Sequence, residues 1–211
     1  MPFTADELFG VFAAYNQAVW PAHVVAYALA AVTLVLVVLR PAEGARAALG
    51  LLAVMWAWNA AAYFLLFFSR INIAAYGFGA LYLVQAVLLA RAMAVTADAP
   101  QRGWTVARIF GAILIVYSLA IYEQLGVWFG HGWPRGPLFG IAPCPTTIFT
   151  IGLLMLTMRS PPAALMIAPL IWSVIGATAA ILFGVPEDLG LLAAGLIGGV
   201  WLLSSARRRA A

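Results

Sequence analysis

The sequence contains no lysine. That excludes a retinal or pyridoxal Schiff base and a Walker-type phosphate loop, each of which needs the lysine amine. A single cysteine, Cys144, rules out a disulfide framework within the chain and any Cys-x-x-Cys redox pair. There are two histidines, His23 and His131, in no zinc-type spacing. No Gly-x-Gly-x-x-Gly dinucleotide loop occurs. Charge is scarce: Asp, Glu and Arg make up 9% of the chain, against about 25% in a soluble domain.

What is present is apolar. Hydrophobic residues make up 65% of the 211, and mean hydropathy is +1.03. Such a chain cannot cover itself with polar surface, so lipid is its expected solvent. The pI near 9.6 is no sign of nucleic acid. All the basic charge is arginine, thinly spread at the ends of apolar runs. Seven runs approach the roughly 20 residues a bilayer core requires: Pro21–Leu39, Ala47–Phe68, Ile73–Ala92, Thr105–Leu125, Pro137–Met158, Ala163–Gly184 and Pro186–Ala206. The expected fold is one all-α domain over residues 1–211, with seven transmembrane helices. Alternating them puts Arg40, Arg46, Arg91, Arg102, Arg108, Arg159, Arg207, Arg208 and Arg209 on one side and only Arg70 and Arg135 on the other. The positive-inside rule makes the first side cytoplasmic, with the N-terminus outside and the C-terminus inside.

The first segment, MPFTADELFGVFAAYNQAVWP, opens acidic and lacks a small-residue cleavage site, unlike a secretory signal. Thr4 and Glu7 have capping-box spacing, and Phe3 can staple onto Leu8. Leu8, Val11, Phe12 and Tyr15 then recur at helical spacing, so residues 1–18 read as an interfacial amphipathic helix. Small residues at Gly195-x-x-x-Gly199 and Gly176-x-x-x-Ala180 suit close helix packing. They serve packing within the chain or a homo-oligomer face through Gly195 and Gly199.

The run FGIAPCPTTIFTIG raises the sharpest question. Proline is comfortable in a first helical turn and poor in an interior. Pro145 therefore predicts a helix start, with Cys144 at or beside its cap. From there to Met158 is about 14 residues, or about 21 Å, short of a hydrocarbon core of about 30 Å. The Gly- and Pro-rich residues before it predict an irregular segment dipping into the protein, and hence a broken fifth helix. Irregular backbone at that depth must be buried in protein or line a wet cavity. Free N–H groups at such a tip favour an anion or other ligand. The alternative is a kink, with Cys144 as apolar filler.

Polar side chains gather toward the outer half, and intramembrane polar groups suggest function. Glu123, His131, Cys144, Thr147, Asp188, Asn59 and Tyr63 are the candidate ligand-binding residues. Each also has a structural role open to it. Glu187 and Asp188 can cap the last helix, Asn59 can bond a neighbouring helix, and His23 can be an interfacial ring. No cofactor is required by the sequence. A divalent metal could use His131, Cys144 and Glu123, and haem could use His23 and His131, though no ligand spacing supports either.

The opening segment, the run APCPTTIFTIGLL and the run GVPEDLGLLAAG resemble a bacterial membrane family known as domain of unknown function 6064. The resemblance covers essentially the whole chain and implies a multi-pass protein of the bacterial inner membrane. It carries over no activity and no site residues. The function expected from the residues is a small-solute or ion transporter with an outer-half polar pocket. The alternatives are an intramembrane metal-dependent hydrolase and a ligand-binding sensor or accessory subunit. Whether it is an enzyme stays open.

Overall fold

Six of the seven expected crossings are helices long and apolar enough to span a bilayer. The computed structural model describes residues 3–95 and 103–210, with the backbone alone for Ala179 and residues 208–210. Arg102 lies outside the described residues, as do the side chains of Arg208 and Arg209. Eight helices and no strand appear among the described residues. They are α1 (Ala5–Ala18), α2 (Ala22–Leu39), α3 (Pro41–Arg70), α4 (Ala75–Val95), α5 (Val106–Trp128), α6 (Pro143–Thr157), α7 (Ala164–Leu182) and α8 (Leu189–Ala210). A 3₁₀ turn, Pro186–Asp188, leads into α8. Their outward faces expose Val32, Val35, Val84, Ile113, Leu196 and Val200. Water would not tolerate that much contiguous apolar surface, whereas lipid does.

Two boundaries differ from the sequence reading for physical reasons. The second crossing begins at Pro41, not Ala47. Proline fits the first turn, and Gly44 lets α3 close on α2, where an added Cβ would lie 2.4 Å from the Val37 backbone. In the fifth apolar run the helix begins at Pro143, not Pro137. Residues 130–142 are irregular, with Gly130 and Gly140 at positive φ. At Gly140 a Cβ would also meet Ala26 at 2.5 Å, so only glycine fits.

α6 is the centre of the molecule. Every residue from Pro143 to Met155 is buried, as expected of a helix apolar on all faces. Its closest neighbour is α5. An added Cβ on Gly152 would lie 2.9 Å from the Gly111 carbonyl oxygen, and one on Gly111 would lie 2.7 Å from that of Gly152. The two backbones touch. This pair was not among the small-residue motifs expected. Gly195, which was, packs on Ser173 of α7, where an added Cβ would lie 2.5 Å from the serine Cβ. Its small face is therefore taken up inside the chain.

The polar groups around α6 are matched by other helices. Thr146, Thr147 and Thr150 each donate their hydroxyl to the carbonyl four residues back. Thr150 and Thr146 also accept, from Trp56 Nε1 at 2.8 Å and from Asn59 Nδ2 at 3.4 Å. Thr147 meets the Tyr82 hydroxyl at 3.1 Å. Pro169 inside α7 has no N–H for the Leu165 carbonyl. The amide of Gln85 on α4 donates there instead, at 2.9 Å.

α1 packs against the end of the bundle where residues 130–142 lie. Its capping box is formed: Glu7 N–H donates to Thr4 Oγ1 at 3.2 Å, and Thr4 N–H to Glu7 Oε2 at 2.7 Å. The buried face is Leu8, Val11, Phe12, Tyr15 and Asn16. Tyr15 donates to Ile141 O at 2.8 Å, a carbonyl that Pro145 cannot serve. Asn16 Nδ2 donates to the carbonyls of Pro134 and Gly136. Asp6 pairs with Arg135 at 2.8 Å.

Two outcomes are expected. Gly152→Ala should lower stability by about 1–3 kcal/mol through overpacking against backbone. Gly77→Ala, where nothing lies within 4 Å, should not lower it. Thermal unfolding in detergent compares them. The Thr4 amide and hydroxyl hold the Glu7 carboxyl below its ordinary value of 4.5. A depressed acid stabilises above its unfolded pKa and loses that contribution as pH falls through the folded value. The capping contribution should therefore fade below about pH 4.5 in a pH series of melting temperatures, and Glu7→Gln should remove that dependence.

Candidate functional site

A cavity of about 160 Å³ lies between α1 and the ends of α3, α4, α6 and α7. Eight of its eighteen lining residues are aromatic: Phe3, Phe12, Tyr63, Phe64, Phe68, Phe78, Trp172 and Phe183. The rings brace one another. Phe3 stacks on Phe183 at 4.9 Å and meets Phe68 edge-on at 5.4 Å, while Trp172 stands edge-on to Phe64 and Phe78. Phe3, Asn72, Phe78 and Phe183 are half-buried and Thr178 is exposed, so these residues form the rim.

The polar groups of the cavity come from α6 and from the turn before α8. Asp188 is 2% exposed and Cys144 7%. The Tyr122 hydroxyl donates a short hydrogen bond to Asp188 Oδ1. Cys144 and Trp172 line the same cavity as Asp188. Gly176 makes room for the sulfur, since a Cβ there would come within 3.3 Å of Sγ. Neither cavity lining nor salt bridge supplies Asp188 with a cation among the described residues.

The α6 tip is not the anion-binding end expected of it. Pro143 and Pro145 occupy the first and third helical positions and carry no N–H. The Thr146 amide is bonded to Ala142 O. Only the Cys144 amide remains of the group that would hold an anion.

Of the seven candidate residues, Tyr63, Cys144 and Asp188 line this cavity. Glu123 and His131 line a separate one of about 110 Å³, together with Glu187. Glu123 Oε1 accepts from Tyr27 and from the Phe139 amide, which ties down the irregular segment. His131 Nδ1 lies 3.3 Å from Glu187 Oε1, and neither group has a hydrogen bond in the fold. Burial, and then the Arg135 guanidinium, hold the His131 imidazole below its ordinary value, so the pair is not a charged bridge at neutral pH. Asn59 and Thr147 point into the helix contacts around α6. Asn59 donates to Met55 O and Gly140 O, and Thr147 bonds Tyr82 and Pro143 O.

The proposed metal set His131, Cys144 and Glu123 is not brought together. Among the described residues no three His, Cys, Asp or Glu side chains cluster as metal ligands. For haem, His23 packs against Trp20 and Trp133, and His131 against Phe9.

Sequence reasoning missed most of the aromatic wall. Its signal is the run Tyr63-Phe64-Leu65-Leu66-Phe67-Phe68, together with Phe78 on the next helix. Tyr82 was also missed. No local signal in the sequence places Tyr122 against Asp188 or Trp172 in the same cavity as Cys144.

Apolar outward faces, a fully buried central helix and a covered cavity at one end define a multi-pass α-helical membrane protein. The chain belongs to the Family of unknown function (DUF6064), whose model matches residues 5–211. No curated protein and no solved structure matches it.

Cys144, the only thiol, reports on access to the cavity. A charged, water-soluble thiol reagent should label it slowly in the folded protein. Phe3→Ala, which thins the rim, should raise the rate, followed by mass spectrometry of the intact chain.

Proposed function

We propose that this chain is a membrane-embedded binding protein that takes a small, largely apolar molecule into the aromatic cavity. The observation that carries this reading is the cavity itself: about 160 Å³, with eight aromatic residues in its lining and one carboxylate and one thiol at its polar corner. An apolar protein cavity of about 150 Å³ holds a benzene-sized ligand. A few fixed polar groups in an apolar pocket are the usual means of orienting such a ligand.

The cavity opens to the extracytoplasmic side in this reading, and α1 is an interfacial helix above it. The arginine distribution supports that orientation, since Arg40, Arg46, Arg91, Arg108, Arg159 and Arg207 fall on the other side when the helices alternate. α6 is the fifth of seven crossings. Its 15 residues extend about 22 Å, less than the bilayer core. Protein surrounds it on all sides, so it need not match lipid thickness.

A carrier is the second reading. It is favoured by the π-helical stretches Asn59–Phe67 in α3 and Tyr117–Ile121 in α5. Both adjoin residues of the cavity corner, and such segments often mark places where helices adjust. The hydrolase alternative has no comparable support.

The test uses the protein in nanodiscs and a panel of small apolar molecules, from benzene to short alcohols. Ligands that fit should slow alkylation of Cys144 by N-ethylmaleimide, saturably. Filling the cavity with Val185→Trp should abolish the protection. If no member of the panel protects Cys144, the binding reading falls. Uptake of a protecting ligand into proteoliposomes would select the carrier.

A further inference from the structure

We propose that the preferred occupant of the cavity is a small quaternary or fully methylated ammonium ion. This rests on the binding reading above and adds the chemical class of the ligand. Eight of the eighteen lining residues are aromatic, and the only charged side chain type among them is the carboxylate of Asp188. Among the described residues no arginine or histidine lines the cavity. The lining therefore selects against anions twice over: it offers no cation, and Pro143 and Pro145 strip the helix tip of the amides an anion would use.

Aromatic side chains gathered around one acid are the kind of lining that recognises methylated ammonium groups. Such ions have no N–H to satisfy, so an apolar wall costs them no lost hydrogen bond. The ring quadrupoles attract their spread positive charge. Asp188 supplies the counter-charge from a position where it is buried, and its hydrogen-bond partner there is the neutral Tyr122 hydroxyl. A buried carboxylate without a cation is costly, and a bound ammonium ion removes that cost. The size agrees as well. A trimethylammonium group is close in bulk to a benzene ring, and the cavity is of the volume that takes one.

Calorimetry on the protein in nanodiscs tests this with tetramethylammonium, choline and 3,3-dimethylbutan-1-ol, the uncharged carbon isostere of choline. Choline should bind about tenfold or more tightly than the isostere. Asp188→Asn should weaken choline by about thirtyfold or more and the isostere far less. Phe78→Leu, which removes a ring and little volume, should lower the preference for choline in the same direction. It serves as the second variant if Asp188→Asn fails to fold. Equal or tighter binding of the isostere overturns the ammonium assignment, as does a choline affinity indifferent to both variants. In either case protection of Cys144 by the apolar panel still upholds the cavity as a binding site. Absence of binding by every probe overturns both.

Discussion

The structure depends on burying α6 on every side without water. A helix in that position must satisfy its exposed polar atoms from within the protein, or the cost of each orphan falls on the fold. Three threonines solve most of this. Each turns its hydroxyl proton back onto its own helix and presents an oxygen lone pair outward. Trp56, Asn59 and Tyr82 meet those oxygens from α3 and α4. Thr147, a candidate ligand contact in the sequence, is with Thr146 and Thr150 a seam of the helix packing. Where α5 crosses α6, Gly111 and Gly152 bring backbone against backbone, with the side chains of Leu114, Ile115 and Met155 packed beside them.

The ends of α6 follow from that burial. Above it the chain is irregular, and irregular backbone needs partners. Tyr15 and Asn16 from α1, Asn59 from α3 and Glu123 from α5 each serve a group in residues 134–141. α1 is thus more than an amphipathic helix resting on a surface. Its last turn completes the hydrogen bonding of the segment above α6, its first turn supplies Leu8 to the cavity, and the residue before its cap, Phe3, adds a ring. Removing the irregular segment's need for partners would remove much of what holds α1 in place.

How far the site could be read ahead depended on the range of the interaction. The capping box of Thr4 and Glu7, and the buried face Leu8, Val11, Phe12 and Tyr15, were legible because they are local and periodic. The break before α6 was legible from its prolines, two residues out of register. The gathering of polar groups into a single pocket was not. Glu123 and His131 line a different cavity from Cys144 and Asp188, although all four sit toward the same end of the bundle. Residue type and depth place a group along the bundle axis. They do not place it around that axis.

By itself, the sequence determined the solvent, the helical class, the approximate crossings and the arginine asymmetry. Each of these is a sum over neighbouring residues: apolar length, helical period, or charge at the end of a run. Only the tertiary structure decided that α6 is the central helix, that Asp188 meets Tyr122 and that Asp188 shares a cavity with Cys144. It also decided that rings from α1, α3, α4 and α7 close around one cavity. Those are contacts between residues tens of positions apart. They depend on which face each helix turns inward, and nearly uniform apolar helices leave that choice to packing and to a few hydrogen bonds.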